Sequence, residues 1–161
     1  MARAIANPTV QDPVRSWLHV ADNDVARALV ERVSMLVGAS PSHCESPEII
    51  YYRQGARRGL VTELLNPDEP AVRDFYDHGG QRVLTALVFL QDHYSGAGDH
   101  ELDFLQPGTE RPAAVRAPPG RCVFFANQNA AGQPAMYAVA SQTSDRWVAV
   151  LRFREGRFHM E

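Results

Sequence analysis

Apolar residues recur along this chain with two different periods. Over DNDVARALVERVSMLVG, the residues Val25, Ala28, Leu29, Val33, Leu36 and Val37 fall on one 3.6-residue stripe, which predicts an amphipathic helix. Asp22 or Asn23 can cap its start and Gly38 its end. The Ser/Pro-rich stretch ASPSHCESP then reads as a loop. Beyond it the period drops to two. Glu48 to Tyr52 is β-branched and aromatic, and 59–65 is a short strand. Within 67–78, Val72, Phe75 and Tyr76 share one side of a helical turn. In 81–91, Val83, Thr85, Leu87 and Phe89 face one way, and Leu84, Ala86, Val88 and Leu90 the other. Both faces are apolar, so this strand is central. Segments 101–105, 113–116, 121–126, 135–140 and 146–153 bring the set to about eight. Many short strands with Pro/Gly-rich turns predict an all-β sandwich or barrel, here with one flanking N-terminal helix.

Length and composition narrow the picture. At 161 residues the chain is one domain, with 1–16 expected as a flexible leader and 17–161 as the folded unit. A hydrophobic share of 45% is enough for a real core. The net charge of −3 argues against a nucleic-acid partner, whose protein surface is normally basic. No secretory h-region and no stretch near the ~20 apolar residues of a membrane span is visible, so a cytoplasmic location without membrane contact is expected. Cys44 and Cys122 do not make a disulfide framework; Cys122 is expected in a buried strand and Cys44 in an exposed loop.

A series of ordered landmarks carries a resemblance. Tyr52 and Gly55 are followed by Gly79, Gly80, Gln81 and Arg82, then by Thr85, Leu87 and Leu90. Downstream come Pro118, Pro119, Gly120, Arg121 and Phe124, and finally Arg146 with Trp147. This order resembles the prolyl 4-hydroxylase-like branch of the iron(II)/2-oxoglutarate-dependent oxygenases, from roughly Trp17 to Phe158. The resemblance implies a double-stranded β-helix of the jelly-roll or cupin-like kind. It also implies that Arg146 grips a carboxylate, that Gln81 and Arg82 brace loops, and that Thr85, Tyr52, Phe89, Val61, Met136 and Trp147 border a ligand pocket.

The same register puts Val61 and Glu63 where the family carries its His-x-Asp pair, and Tyr137, or Met136 one residue earlier, at its second histidine. Two imidazoles and a carboxylate on one metal face make the ferrous site of such enzymes. Valine has no donor atom, and a neutral phenol with a pKa of about 10 is a poor ferrous ligand. No metal and no cofactor are therefore expected. The family tyrosine that helps hold 2-oxoglutarate corresponds to Phe89, which lacks the hydroxyl. A relocated metal site around His100, Glu101 and Asp103 is the alternative among the remaining histidines.

Two functional readings follow. In the first, the protein is a non-catalytic pseudo-oxygenase that binds a small carboxylate-bearing ligand or a partner subunit, as a homo- or hetero-oligomer. Val61 and Met136 or Tyr137 then simply pack, and Glu63 pairs with an arginine such as Arg57 or Arg58. In the second, it is a metal-independent isomerase, cyclase or lyase of specialised metabolism. Glu63, raised toward neutrality by burial, is then the base, Tyr137 the acid and Arg146 the anchor of a substrate carboxylate. A third reading keeps an atypical 2-oxoglutarate-dependent dioxygenase with metal held through Glu63.

Overall fold

The computed structural model describes residues 13–90, 102–105, 112–140 and 144–158. In chain order these hold β1 (Val14–Trp17), α1 (Asp24–Val37), β2 (Glu48–Tyr52), β3 (Arg58–Val61) and α2 (Pro70–Asp77). Then follow β4 (Arg82–Phe89), β5 (Leu102–Leu105), β6 (Ala113–Val115), β7 (Cys122–Ala126), β8 (Met136–Val139) and β9 (Arg146–Arg154). One sheet runs β1-β2-β9-β4-β7 and the other β3-β8-β5-β6. Every strand pair is antiparallel. The two sheets are all-β, as the two-residue period predicts, and form the jelly roll that the resemblance implies, with helices outside it.

The alternation of side chains along each strand decides what fills which space. Ile50, Leu87, Phe89, Val148 and Val150 of the larger sheet meet Leu102, Tyr137 and Val139 of the smaller one, forming the core between the sheets. On the other face of the larger sheet, Ala86, Ala149, Leu151 and Phe153 pack under Val30 and Val33 of α1. Strands β4 and β9 therefore bury both faces, which explains their unbroken apolar runs.

Helix α1 begins and ends where its caps predict. The Asn23 side-chain oxygen accepts the Ala26 N–H at 2.9 Å, and Gly38 turns the chain at φ +68°. Its buried face differs from the stripe read in the sequence. Ala26, Val30, Val33 and Ser34 are buried, whereas Val25 and Leu36 are 78% and 66% exposed. The period was right and the phase was rotated, because apolar residues surround most of this helix and packing on the sheet selects among them.

Two further expectations are corrected. Residues 14–16, expected within a leader, belong to β1, which pairs with β2 from Val14↔Tyr51 to Trp17↔Glu48. Main-chain bonding and the Arg15–Glu48 ion pair at 3.0 Å hold this edge strand despite its polar sequence. Cys44, expected to be exposed, is partly buried against the α1 cluster. Burial, then the charge of Glu45, push its thiol up to about 12. Among the described residues, no helix is long and apolar enough to cross a membrane.

Candidate functional site

The inner faces of three neighbouring strands set up two zones inside the barrel. Along β9 the inward residues are Arg146, Val148, Val150, Arg152 and Arg154. Across from them on β2, Tyr52 pairs with Arg146, Ile50 with Val148 and Glu48 with Val150. On β4, Phe89 pairs with Val148, Leu87 with Val150 and Thr85 with Arg152. Hydrocarbon thus fills the middle of the barrel, with the buried Arg146 at one end and a larger group of charges around Arg152 and Arg154 at the other.

The middle is nearly full. Its remaining void measures about 10 Å³ and is bordered by Tyr52, Phe89, Tyr137 and Arg146 among others. That is room for roughly one water molecule. Four of the residues expected at a ligand pocket therefore do converge, but around a space far smaller than a ligand.

At the charged end, Glu63 is the hub. Val61 on β3 lies directly across from Tyr137 on β8. Two residues past Val61, the Glu63 carboxylate accepts the Tyr137 hydroxyl at 2.6 Å and the Arg152 Nε–H at 2.7 Å. Arg58 and Arg82 stand 3.7 and 3.6 Å away. Arg152 extends its other arm to Glu48 at 2.7 Å, and Glu48 also pairs with Arg15. Arg82 forks onto both oxygens of Glu45 at 2.7 and 2.8 Å. Arg154 donates to Glu45 at 2.9 Å and to the Phe75 carbonyl at 2.6 Å. Gln81 braces the loop after Glu63 by exchanging two bonds with the Leu65 backbone, in line with the bracing role implied for it. Gly80, at φ +77°, keeps this corner open: a Cβ there would lie 2.5 Å from a Glu155 carboxylate oxygen.

This setting fixes the protonation states. Burial pushes the Glu63 carboxyl up, but the Arg152 charge, the bonds from Tyr137 and Arg152, and Arg58 together outweigh it and hold the carboxyl below its ordinary value. The expectation that burial makes Glu63 a near-neutral base is thus overturned, because its partners are cations rather than hydrocarbon. Tyr137 moves the other way: burial and then the Glu63 charge raise its phenol well above the usual value. Arg152 is also raised, since Glu63 and Glu48 more than offset its burial.

The remaining predicted residues divide by face. Thr85 is fully buried beside Arg152, and its hydroxyl has no hydrogen-bond partner among the described residues. Val61 packs at the edge of the core. Met136 precedes Tyr137 and faces away from it. Trp147 faces away from Arg146, is 47% exposed and stacks on Tyr51 with ring centroids 4.5 Å apart. As metal ligands the residues fit poorly. Val61 offers no donor, both Glu63 oxygens are engaged, and the Tyr137 oxygen is committed as a donor to Glu63. No group of three His, Cys, Asp or Glu that could hold a metal ion occurs among the described residues. His93, His100, Glu101 and His159 lie outside the described residues.

Sequence reasoning missed Glu45, Glu48, Arg152 and Arg154. The local trace of the cluster is on β9, where arginines alternate with apolar residues; nothing in the sequence marks Glu45 or Glu48 as their partners.

No protein-family profile and no curated protein matches the sequence. Solved structures do match the fold. A viral collagen prolyl hydroxylase from Paramecium bursaria Chlorella virus-1, in complex with 2OG, superposes with a TM-score of 0.63 at 16% identity, covering 89% of this chain and 79% of that one. A Pseudomonas putida prolyl-4-hydroxylase gives 0.62 at 15% identity, with 92% and 76% covered. A Trichoplax adhaerens prolyl hydroxylase, in complex with a hypoxia inducible factor fragment, gives 0.64 at 13% identity, with 96% and 68% covered. The chain therefore has the double-stranded β-helix fold of the prolyl hydroxylases.

Proposed function

We propose that this chain is a non-catalytic protein on the oxygenase fold, acting through a bound small anion or a partner subunit rather than through iron and 2-oxoglutarate. The observation that carries this reading is the closed contact of Glu63 with Tyr137 and Arg152, above an interior void of about 10 Å³. Small-molecule sites usually offer about 300–1,000 Å³. The viral neighbour was solved with 2OG; the interior here would have to repack to admit a molecule of that size. On this reading Val61, Glu63 and Tyr137 stand where a metal triad was lost. Their present chemistry is that of a structural ion cluster.

The metal-free acid–base reading has one point in its favour, the 2.6 Å contact that brings Glu63 and Tyr137 together. Two features count against it. A base must accept a proton near neutral pH, and Glu63 is held ionised by guanidinium groups. A substrate must also lie between base and acid, where these two bond each other directly. An intact Arg146 alone does not restore that geometry.

Anaerobic calorimetry with ferrous iron and 2-oxoglutarate, followed by an assay for succinate in air, tests the proposal. No saturable one-to-one uptake and no succinate are expected. Stoichiometric binding with succinate formed would overturn it. A pull-down from the native source then separates the two non-catalytic roles, with a partner protein favouring the subunit role and a retained small molecule the ligand role.

A further inference from the structure

The barrel interior is not the roomiest space in this protein. A cleft of about 470 Å³ opens on its flank, where the end of β1, the turn after it, α2 and the C-terminal segment meet. Its walls are Trp17, His19, Phe75 and Phe158, and its floor holds Glu45 and Arg82. The volume falls within the range of small-molecule sites.

Three distant parts of the chain supply the aromatic walls. Trp17 closes β1 and is 58% exposed. Phe75 lies on α2. Phe158 is pinned by its N–H, which donates to the Ser42 carbonyl at 2.9 Å. The Phe75 and Phe158 rings meet edge to face with centroids 5.2 Å apart. Beneath them the buried Arg154 guanidinium lies 4.6 Å from the Phe75 centroid and 5.3 Å from that of Phe158.

The cleft itself is lined by one carboxylate, Glu45, and one guanidinium, Arg82, and the described ion cluster behind it holds more cations than anions. Glu45 alone faces two guanidiniums, those of Arg82 and Arg154. Across the linked cluster, among the described residues, the three carboxylates Glu45, Glu48 and Glu63 meet five arginines. Arg82 commits three of its five N–H groups to Glu45 and to the Glu63 carbonyl. Its two other N–H groups, one on each terminal nitrogen, are left for a further carboxylate, although Nη1 also stands 3.6 Å from Glu63 Oε2.

We propose that this cleft binds a small aromatic carboxylate, with its ring against Trp17 and the Phe75–Phe158 pair and its carboxylate on Arg82. Aromatic walls reward a flat ring, and a guanidinium fork rewards a planar anion. An aliphatic diacid satisfies only the second requirement. The proposal goes beyond the reading of the barrel interior and stands whether or not that interior is closed.

The test is calorimetry of the full chain with 2-naphthoate, run beside 2-naphthamide, 2-naphthylmethylamine and acetate. Saturable one-to-one binding of the naphthoate is expected. The amide, which lacks the charge, should bind about tenfold more weakly, and the amine and acetate should not saturate. Trp17→Ala, at an exposed edge position, should keep the thermal midpoint and weaken naphthoate binding about three- to tenfold. If that variant unfolds, Phe158→Leu carries the same comparison. Absence of naphthoate binding would overturn the proposal. So would amine binding as tight as that of the naphthoate, or full affinity in both wall variants.

Discussion

The two halves of the barrel interior are held together by opposite physics. In the middle, Ile50, Leu87, Phe89, Val148 and Val150 interdigitate, and each fully buried side chain of this kind contributes about 1.5–3 kcal/mol without needing a specific partner. At the charged end, Glu63, Glu48 and Arg152 are just as buried, and none is tolerable alone. Desolvation of each ion is offset only while the others remain in contact. Apolar packing degrades gradually when a methyl is removed; a closed ion cluster fails when one member is removed. The end that in this fold lies near the expected site is thus the more brittle half. A brittle cluster is suited to fixing one shape, and poorly suited to opening around a metal and a co-substrate.

Perturbing each half in turn puts that contrast at risk. Arg152→Met should be the most damaging change, since it strands two buried carboxylates; a loss of about 3–5 kcal/mol is expected in urea unfolding. A loss below about 1 kcal/mol would mean that Arg58, Arg82 and Arg15 already suffice. Tyr137→Phe keeps the ring and removes one charge-assisted bond to Glu63, so about 1.5–3 kcal/mol is expected. Ile50→Val, in the apolar middle, should cost only about 0.5–1.5 kcal/mol. Equal losses for Ile50→Val and Arg152→Met would erase the distinction between the halves.

The pH dependence sharpens the same point. The folded-state pKa of Glu63 lies below the ordinary carboxyl value. Its contribution is therefore complete above the unfolded value of about 4.3 and disappears as pH falls through the lower folded value. Acid unfolding monitored by circular dichroism should show this loss in the parent chain and a smaller one in Tyr137→Phe. An identical acid limb in both would mean that the phenol does not help hold the carboxylate ionised.

The sequence disclosed the strands other than β1, both caps of α1 and the ordered landmarks of the fold, because periodicity and turn chemistry are local. The nearness of Val61, Glu63 and Tyr137 was implied by the resemblance, whereas the direct pairing of Val61 with Tyr137 was not. The phase of α1 was not legible, since Val25 and Leu36 are as apolar as Val30 and Val33, and only docking on β4 and β9 chooses between them. The ion cluster was not legible either. Its arginines and Glu48 come from β1, β2, β3, β4 and β9, and Glu45 and Glu63 from the segments before β2 and after β3; Arg154 and Glu45 lie about 110 positions apart, and each member looks like an ordinary surface charge. An arginine such as Arg57 or Arg58 was expected to pair with Glu63, and Arg58 stands 3.7 Å from it. Arg152, the shorter and stronger contact, was not expected. Arg152 gives the largest of the contributions that lower the Glu63 pKa against its burial.

The most direct test is a crystal structure of the chain grown anaerobically with ferrous iron and 2-oxoglutarate in excess. The account predicts the Glu63 carboxylate still bonded to Tyr137 and Arg152, with apolar side chains filling the space beside Arg146. An iron ion coordinated by Glu63, with 2-oxoglutarate extended toward Arg146, would contradict it.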